Sequence, residues 1–429
     1  MDVQKITNKK LEGDPLTDNE LEFVIKSYVD NAIDDSSMGK FLKSIHLKGM
    51  EIDEIISLTQ IMIDSGEIID FSNLESYVAD KHSTGGVGDK VSIILGPVLA
   101  ALGIAVPMLA GRSLGHTGGT IDKLETIPGF KTDLSINDFK KNVERSGLCI
   151  MSQTNTICPA DKKIYALRDV TGTIDSNPLI CGSIMSKKIA EGIDGLVLDI
   201  KIGNGAFMRT LAEGKQLGNL LKYVGEKFNV TTNIVYSNMN QPLGRTAGMW
   251  CEINESIEAL KGNGAIDLMD VVFELGSKLI IDSGLTDNPS KAIEMQRQCI
   301  DSGDAYDKFE EMVFNQGGYI KKISELNEPL FSKEVISEKN GFIKSFDTTA
   351  LGWAGVQMGC GRINKNDNLD NTAGIVFIAK VGDQVNKGDS IMQCFCSDEN
   401  KLNEAYSQLK ETFQIVEEKV ESLAMIFRD

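Results

Sequence analysis

The sequence predicts an α/β protein with an added all-helical part: an N-terminal helical domain, a central mixed or parallel α/β domain, and a small C-terminal α+β domain. Three observations predict this class. Apolar residues recur at helical spacing in the first 65 residues, buried strand-like runs followed by glycine loops begin near residue 78, and short strand-like runs separated by turn residues follow residue 335. A chain of 429 residues also exceeds the usual size of one domain.

The N-terminal part predicts three amphipathic helices. Thr17-Asp-Asn-Glu20 has the sequence of a capping box, and Leu21 and Val24 behind it share one helical face. Similar apolar faces recur at residues 41–45 and 52–61. Three short helices cannot bury these faces on their own, so we expect them to pack on another domain or on a second subunit.

The central part alternates strands and helices. IAVPMLAG and GLVLDIKIG are typical of buried strands that lead into glycine loops. Between them, DSNPLICGSIMSKKIAEG predicts a helix that Ser176 caps and Gly192 ends.

The C-terminal part changes to β structure. GFIKSF, GIVFIAK and DSIMQCF predict strands around the turn-rich VGDQVNKGD, and an amphipathic helix near 400–412 closes this unit.

Composition restricts the partners. The formal net charge of −18 gives nucleic acid or an anionic membrane no basic surface to bind. The chain has no run of about 18 apolar residues, and its start, MDVQKITNKKLEG, lacks a signal-peptide core. We therefore expect a cytoplasmic protein without nucleic-acid or membrane partners. The eight cysteines include no CxxC pair, which indicates reduced thiols in the core rather than a zinc site or a disulfide framework.

The stretch KHSTGGVGDKVS, Lys81 to Ser92, predicts an anion site. It is not a Walker A loop, because the glycines required by G-x-x-x-x-G-K-[ST] would fall on Asp89 and Thr84. Glycines nevertheless let backbone N–H groups approach an anion, and the helix that follows directs its positive end toward it. With Lys81, Ser83 and Ser92 added, the stretch predicts a phosphate cradle.

A second glycine turn follows in AGRSLGHTGGTIDKLETIPGF, residues 110–130. Gly118-Gly119-Thr120 again combines glycines with a hydroxyl, and Arg112 and Lys123 add positive charge. Two such turns after strands favour one shared site.

These two stretches resemble the pyrimidine nucleoside phosphorylase family, which includes thymidine phosphorylase. The resemblance extends over essentially the whole chain. It continues through PADKKIYALRDVTGTIDS, SIMSKKIAEG, DIKIGNGAFM, NMNQPLGRTAG and GDQVNKGD. It implies a homodimer formed through the helical domain and an active-site cleft, between the helical and α/β domains, that closes by domain motion.

The expected domain ranges follow this resemblance. The helical domain covers residues 1–66, joined in space by about 160–192. The phosphate-binding α/β domain covers 70–158 and 193–330, and the C-terminal domain covers 335–429.

The chemistry of phosphorolysis agrees with the residues present. Phosphate attacks the sugar carbon while the pyrimidine leaves with negative charge, so the protein must hold phosphate and stabilise the base, and it requires no cofactor. His82 lies beside the cradle and can supply a proton near neutral pH. A structural, hydrogen-bonded imidazole is the alternative for His82.

The base site is predicted on the helix that contains Ile180, Ser183 and Lys187. These residues lie on one helical face, where a serine and a lysine are costly unless they meet polar partners such as a pyrimidine. The resemblance assigns base recognition to Arg168, Ser183 and Lys187, with Tyr165 nearby. It also assigns an apolar wall around carbon 5 of the ring to Leu114, Ile180 and Phe207; ordinary core packing is the alternative for Phe207.

The phosphate residues carried over by motif are Lys81, Ser83, Ser92 and Thr120. Ala110 replaces the family's usual serine, and Ser113 replaces a usual glycine. We expect Ser113 or a water to supply part of the missing hydrogen bond. Four more positions differ from the family and bear on substrate preference: Gly172, Asn177, Gly182 and Asn204.

The resemblance also implies a potassium site. Its matching positions here are Gly88, Leu243, Thr246 and Glu255, but Lys90 replaces the threonine ligand. We predict that the Lys90 ammonium occupies the cation position, pairs with Glu255 and makes potassium unnecessary. A solvated surface lysine is the alternative.

The predicted activity is phosphorolysis of pyrimidine nucleosides (uridine, thymidine or deoxyuridine) to the free base and (deoxy)ribose 1-phosphate, with inorganic phosphate as co-substrate. The alternatives are a thymidine-specific phosphorylase, a related glycosyl or phosphoribosyl transferase with another base, and an inactive nucleoside-binding protein. A phosphoribosyl transferase would need carboxylates for magnesium near the glycine loops, and the candidates there are Asp89 and Asp122.

Overall fold

The computed structural model describes residues 1–113, 115–322, 326–362 and 367–428. The predicted combination of a helical N-terminal part, a central α/β part and a small C-terminal part is confirmed. In chain order, the α-helices are α1 Val3–Glu12, α2 Asp18–Val29, α3 Asp35–Lys48, α4 Ile52–Asp64, α5 Val91–Ala101, α6 Thr120–Leu124, α7 Ile136–Ser146, α8 Pro159–Thr171, α9 Asn177–Ala190, α10 Leu211–Lys227, α11 Trp250–Glu258, α12 Ile266–Asp282, α13 Pro289–Ser302, α14 Asp304–Asn315, α15 Thr348–Gly355 and α16 Glu399–Leu409.

The strands form four sheets among the described residues. They are β1 Ala79–Ser83, β2 Val106–Ala110, β3 Leu148–Ser152, β4 Gly195–Ile202, β5 Thr231–Asn238, β6 Thr246–Gly248, β7 Phe331–Ile336, β8 Gly341–Phe346, β9 Gly374–Phe377, β10 Gln384–Val385, β11 Ser390–Cys396 and β12 Phe413–Val416. The strand orders are β1-β4-β5, β2-β3, β10-β8-β12 and β6-β9-β11-β7. The β2-β3 pair is parallel, whereas the pairs within the last two sheets are antiparallel.

The chain divides into two compact units. The first contains residues 1–80, 153–196 and 215–232, and the second contains residues 81–152, 197–214 and 233–429.

The first unit is built on helices whose apolar faces share one core. Leu21, Val24 and Phe41 are buried there together with Ile164 and Leu179 from α8 and α9. The N-terminal helices therefore bury their faces against two helices from much later in the sequence. The capping box of α2 is confirmed: the Thr17 hydroxyl accepts from the Glu20 N–H, and the Glu20 carboxylate accepts from the Thr17 N–H.

Helix α9 begins and ends where the sequence predicts. Ser176 is the N-cap residue, but its side chain makes no capping hydrogen bond, so that part of the prediction is wrong. Pro178 lies in the first turn, where the missing N–H costs nothing. The helix ends at Ala190, and Gly192 follows with a φ of 73°, a conformation that favours glycine.

The second unit contains the predicted buried strand β2 and all of β4 after residue 196. Every residue of β4 is buried, as its continuous apolar run indicates. The sheet of C-terminal strands also includes β6, in which Thr246 pairs with Val376 of β9. The sequence did not predict this short strand.

All eight cysteines are free, and seven of them are buried. In the described parts of the chain, no helix combines the length and the apolar character that a bilayer crossing requires.

Candidate active site

The second unit brings three of the predicted phosphate residues together. Lys81 and Ser83 lie on β1, and Ser92 lies in the first turn of α5. The Lys81 Nζ donates to the Ser92 Oγ at 3.5 Å, and both residues are buried. The intervening loop turns at Gly85, whose φ of 93° favours glycine, and its N–H donates to the Ser83 Oγ.

Asp89 lies at the centre of this cluster. Its Oδ2 accepts a hydrogen bond from the Ser83 Oγ at 2.6 Å, and its Oδ1 lies 3.7 Å from the Lys81 Nζ. Burial alone would raise the pKa of Asp89, but the positive charges of Lys201 and Lys81 and the Ser83 hydrogen bond outweigh it and hold the pKa well below the usual 3.8. The carboxylate is therefore ionised at neutral pH.

Lys201 is a site residue that sequence reasoning missed. Its Nζ lies 2.6 Å from Asp199 Oδ2 and 3.8 Å from Asp89 Oδ2, and its side chain is fully buried. Asp199 and Lys201 are two residues apart in the buried strand β4, so they lie on the same face. Two charged residues in an otherwise apolar strand were the available signal, because buried charges require partners.

The loop that follows β2 contains the two departures in the phosphate motif. Ala110 ends β2, and the Ser113 N–H donates to Asp122 Oδ2 at 2.7 Å. The Ser113 Oγ is buried and has no hydrogen-bond partner among the described residues. Thr120 begins the short helix α6, and Leu114 lies outside the described residues.

His82 lies on β1 between two of the phosphate residues. Side chains alternate along a strand, so His82 lies on the opposite face of β1 from Lys81 and Ser83. The His82 side chain is partly exposed.

Phe207 lies in the turn after β4, and Asn204 holds this turn. The Asn204 Nδ2 donates to the Phe346 carbonyl at 3.0 Å, and its Oδ1 accepts from the Thr348 N–H at 2.8 Å. His116 also contacts the turn, with its ring centroid 5.7 Å from that of Phe207. Two other segments of the second unit, at residues 346–348 and at His116, therefore contact the turn that carries Phe207.

The first unit brings the predicted base residues together. Ser183 and Lys187 lie one turn apart on α9, and the Lys187 Nζ donates to the Ser183 Oγ at 2.9 Å. The same ammonium lies 2.5 Å from Asp161 Oδ2 on α8. The second oxygen of Asp161 is buried and has no hydrogen-bond partner in the part of the chain that the structure describes. Sequence reasoning missed Asp161, although a lysine on a half-buried helical face implied a nearby acid.

Arg168 is tied to the backbone that leads into α9. Its guanidinium donates to the carbonyls of Thr173, Ile174 and Leu179 at 3.3, 2.6 and 3.0 Å, which uses three of its five N–H groups. Tyr165 lies next to both cations: Arg168 Cζ and Lys187 Nζ are each 5.7 Å from its ring centroid. Ile180 is half-buried on α9.

Lys90 is fully buried in a cage of oxygens in the second unit. Its Nζ lies 2.9 Å from each of three atoms: the Leu243 carbonyl, the Thr246 carbonyl and Glu255 Oε2. Burial alone would lower the pKa of Lys90, but the charge of Glu255 outweighs it and raises the pKa above 10.5. At Gly88, with a φ of 75°, an added Cβ would lie 2.5 Å from the Leu243 carbonyl, so the cage requires glycine there.

A second buried lysine, Lys380, binds two other carbonyls of the same segment. The Lys380 Nζ donates to the carbonyls of Pro242 and Gly244 and lies 2.8 Å from Asp267 Oδ2. Lys90 and Lys380 therefore each bind two of the carbonyl groups in the backbone from 242 to 246.

Within the described ranges, no group of three or more His, Cys, Asp or Glu side chains could hold a metal ion.

Comparison with protein families gives three matches along the chain. Residues 4–66 match the helical bundle domain of a glycosyl transferase family, residues 75–306 match its a/b domain, and residues 342–416 match the pyrimidine nucleoside phosphorylase C-terminal domain.

Similar proteins agree with these matches. The pyrimidine-nucleoside phosphorylase of Staphylococcus haemolyticus is 39% identical over 97% of this chain and 96% of its own length. That of Staphylococcus aureus is 41% identical over 90% of each chain. The crystal structure of anthranilate phosphoribosyltransferase from Thermus thermophilus covers 72% of this chain and 99% of that one, with a TM-score of 0.57 and 17% identity, and shows the fold alone.

Proposed function

Since this chain belongs to the pyrimidine-nucleoside phosphorylase family, we propose that it catalyses phosphorolysis of pyrimidine nucleosides to the free base and (deoxy)ribose 1-phosphate. Phosphate forms a bond to carbon 1 of the sugar, the bond from that carbon to the base nitrogen breaks, and the base leaves with the electron pair. Inorganic phosphate is the co-substrate, and the enzyme is a pentosyltransferase.

The observation that carries this proposal is the polar face of α8 and α9. Lys187, Ser183 and Arg168 offer cationic and hydroxyl donors next to the ring of Tyr165. A pyrimidine leaving group spreads negative charge over its two carbonyl oxygens, and preorganised cations stabilise that charge. Asp161 keeps the Lys187 ammonium oriented. Ile180, Leu114 and Phe207 are proposed to contact carbon 5 of the ring.

Phosphate is proposed to bind at Lys81, Ser83, Ser92, Thr120 and Ser113. The support is the contact of Lys81 with Ser92 and the Ser113 hydroxyl, which has no hydrogen-bond partner among the described residues. His82 is proposed to donate a proton to a carbonyl oxygen of the departing base. Its place on the other face of β1 from Lys81 and Ser83 agrees with a task separate from holding phosphate.

Lys90 is proposed to make potassium unnecessary. In this proposal its ammonium takes the cation position formed with Gly88, Leu243, Thr246 and Glu255. The support is its three 2.9 Å contacts with oxygen atoms. A monovalent cation and a buried ammonium satisfy the same oxygens, so the two are mutually exclusive.

The assembly and the location are also proposals. We expect a cytoplasmic homodimer formed through the helical domain, with the domain ranges given above and a cleft that closes on its substrates. Size-exclusion chromatography with light scattering would test the dimer.

The test is phosphate-dependent release of free base. Uridine, thymidine and deoxyuridine are each incubated with and without phosphate, in potassium and in sodium buffers, and the base is measured by absorbance. We expect release that requires phosphate and does not depend on potassium. The relative kcat/KM values identify the preferred nucleoside and separate a thymidine-specific enzyme from a broad one.

Two variants on neighbouring helices sharpen this test. Lys187→Met should lower kcat/KM by about 100- to 1,000-fold, because it removes a charge that stabilises the leaving base. Lys162→Met, on the exposed side of α8, is the matched control and should retain activity. Release of base without phosphate, or full activity in Lys187→Met, would contradict the proposal.

A further inference from the structure

An ionised carboxylate lies where the proposed function places a phosphate anion. Asp89 contacts two of the proposed phosphate residues, Ser83 at 2.6 Å and Lys81 at 3.7 Å. Its side chain is 7% exposed, so it lies within the cluster. Two anions in contact repel each other, so this arrangement requires an explanation beyond charge neutralisation.

The single hydroxyl proton of Ser83 explains how an anion could bind next to Asp89. Ser83 has one hydroxyl proton, which it donates to Asp89, while its oxygen accepts from the Gly85 N–H. Ser83 can donate to a bound anion only if another donor satisfies Asp89. Inorganic phosphate at neutral pH retains an O–H group and can be that donor. The exchange conserves the number of hydrogen bonds: the phosphate O–H donates to Asp89, and the Ser83 hydroxyl turns to a phosphate oxygen.

The neighbouring lysines keep Asp89 an acceptor. Lys201 lies 3.8 Å from Oδ2, and the Val91 N–H donates to Oδ1 at 3.3 Å. Lys123 donates to the backbone carbonyl of the same residue at 3.0 Å. Asp89 is thus held in place from both its side chain and its backbone, and a ligand that enters the cluster must adapt to it.

We propose that Asp89 selects protonated oxyanions, accepting a hydrogen bond from the O–H group of phosphate and rejecting tetrahedral anions that lack one. This inference rests on the proposed function, because it assigns the oxyanion site to Lys81, Ser83 and Ser92. The site then accepts phosphate and arsenate, which carry an O–H group at neutral pH, and discriminates against sulfate and monofluorophosphate, which carry the same double charge without one.

The first experiment uses the unaltered protein. Binding of phosphate, arsenate, sulfate and monofluorophosphate is measured by calorimetry at constant ionic strength, which does not depend on catalysis. We expect phosphate and arsenate to bind within a few-fold of each other and the other two anions to bind roughly 10- to 100-fold more weakly, the range of a hydrogen bond to a charged group. Sulfate binding as tightly as phosphate would overturn the inference.

The second experiment uses Asp89→Asn, whose amide can donate to an anion without a proton. The ratio of sulfate to phosphate dissociation constants should fall by about 10-fold or more, even if both constants change. Asp370→Asn is the matched control, because its carboxylate also accepts from hydroxyl and backbone donors, those of Thr372 and Ser397, and the ratio there should stay unchanged.

The outcomes separate selection of a protonated anion by Asp89 from mere positioning of Lys81. A carboxylate that merely positions Lys81 would weaken all four anions by the same factor in Asp89→Asn, and that result would overturn the inference. If the altered protein does not fold, the anion series on the unaltered protein still decides. Selective phosphate binding without release of base would refute the proposed function and leave the selectivity established.

Discussion

Removing the Lys90 ammonium should strongly destabilise the second unit. In Lys90→Met, Glu255 keeps hydrogen bonds from the Arg245 N–H, the Thr246 N–H and the Thr246 hydroxyl, at 2.6, 2.7 and 2.6 Å, but loses its cation. Breaking a buried ion pair from one side costs about 3–5 kcal/mol. Because Glu255 keeps three donors, we expect the lower end, about 3 kcal/mol, which corresponds to a fall in Tm of roughly 5 °C for a unit of this size.

The assay is thermal and urea unfolding of a double-mutant cycle. Glu255→Gln should also destabilise, and the double variant should lose less than the sum of the two single changes, because neither charge is then left unpaired. Lys90→Thr should be stabilised by potassium, since a hydroxyl replaces the ammonium among the same oxygens. A single variant within about 0.5 kcal/mol of the unaltered protein, as at an ordinary surface position, would refute the buried-pair reasoning.

The effect of pH on this pair has a defined sign. The pKa of Glu255 is lowered from 4.5 because the charge of Lys90 and the hydrogen bonds of Thr246 and Arg245 outweigh burial, so its contribution is lost as pH falls below 4.5. The pKa of Lys90 is raised above 10.5, so its contribution is lost as pH rises above that value. The stability difference between Lys90→Met and the unaltered protein should therefore be constant from about pH 5 to 10 and shrink outside that window.

Three further predictions concern other positions. Ala110→Ser should lower the KM for phosphate by about 10- to 100-fold by restoring a hydrogen bond to a charged ligand, and an unchanged KM would refute that reading. Asn204→Ala should raise the nucleoside KM and lower the free energy of unfolding by about 1–3 kcal/mol, because the turn that holds Phe207 loses two hydrogen bonds. A nucleoside KM equal to that of the unaltered protein would show that this turn does not contribute to the base site. Burial raises the pKa of Glu191 well above 4.5, although Lys188 opposes the shift, so the native state disfavours the charged form and loses stability as pH rises toward the folded pKa. Glu191→Gln should remove this loss of stability with rising pH. The prediction would be contradicted if the difference in urea midpoint between Glu191→Gln and the unaltered protein were the same at pH 5 and at pH 8.

The sequence predicted those elements whose signals lie within a few consecutive residues. The α2 capping box requires four residues in a row, and the β4 strand was legible as a continuous apolar run, so both could be predicted. Strand β6 could not, because three residues carry no periodicity and become a strand only through pairing with β9. The side chain of Ser176 was expected to cap α9 and does not: Pro178 removes one of the two N–H groups that an N-cap side chain can bind, and the other is left unbound by Ser176.

In the candidate site, too, residues within motifs could be predicted, whereas residues that depend on distant neighbours could not. Motifs identified Lys81, Ser92 and Lys187, which lie among polar partners as their residue types suggested. Asp161 and Lys201 were missed because their importance depends on neighbours that are 26 and 112 residues away along the chain, Lys187 and Asp89. Lys90 could be found from the sequence although its partner Glu255 is also distant along the chain. A lysine at the position of an expected potassium ligand indicated a buried ion pair.

The two lysines that hold residues 242–246 have a consequence for how the protein is made. Pro242 and Gly244 depend on Lys380, and Leu243 and Thr246 depend on Lys90, so one short segment is held from positions 290 residues apart. Until the ribosome has added residue 380, Lys90 has its carbonyl acceptors but the segment lacks its second clamp. A nascent chain released before residue 380 would therefore hold residues 242–246 through Lys90 alone.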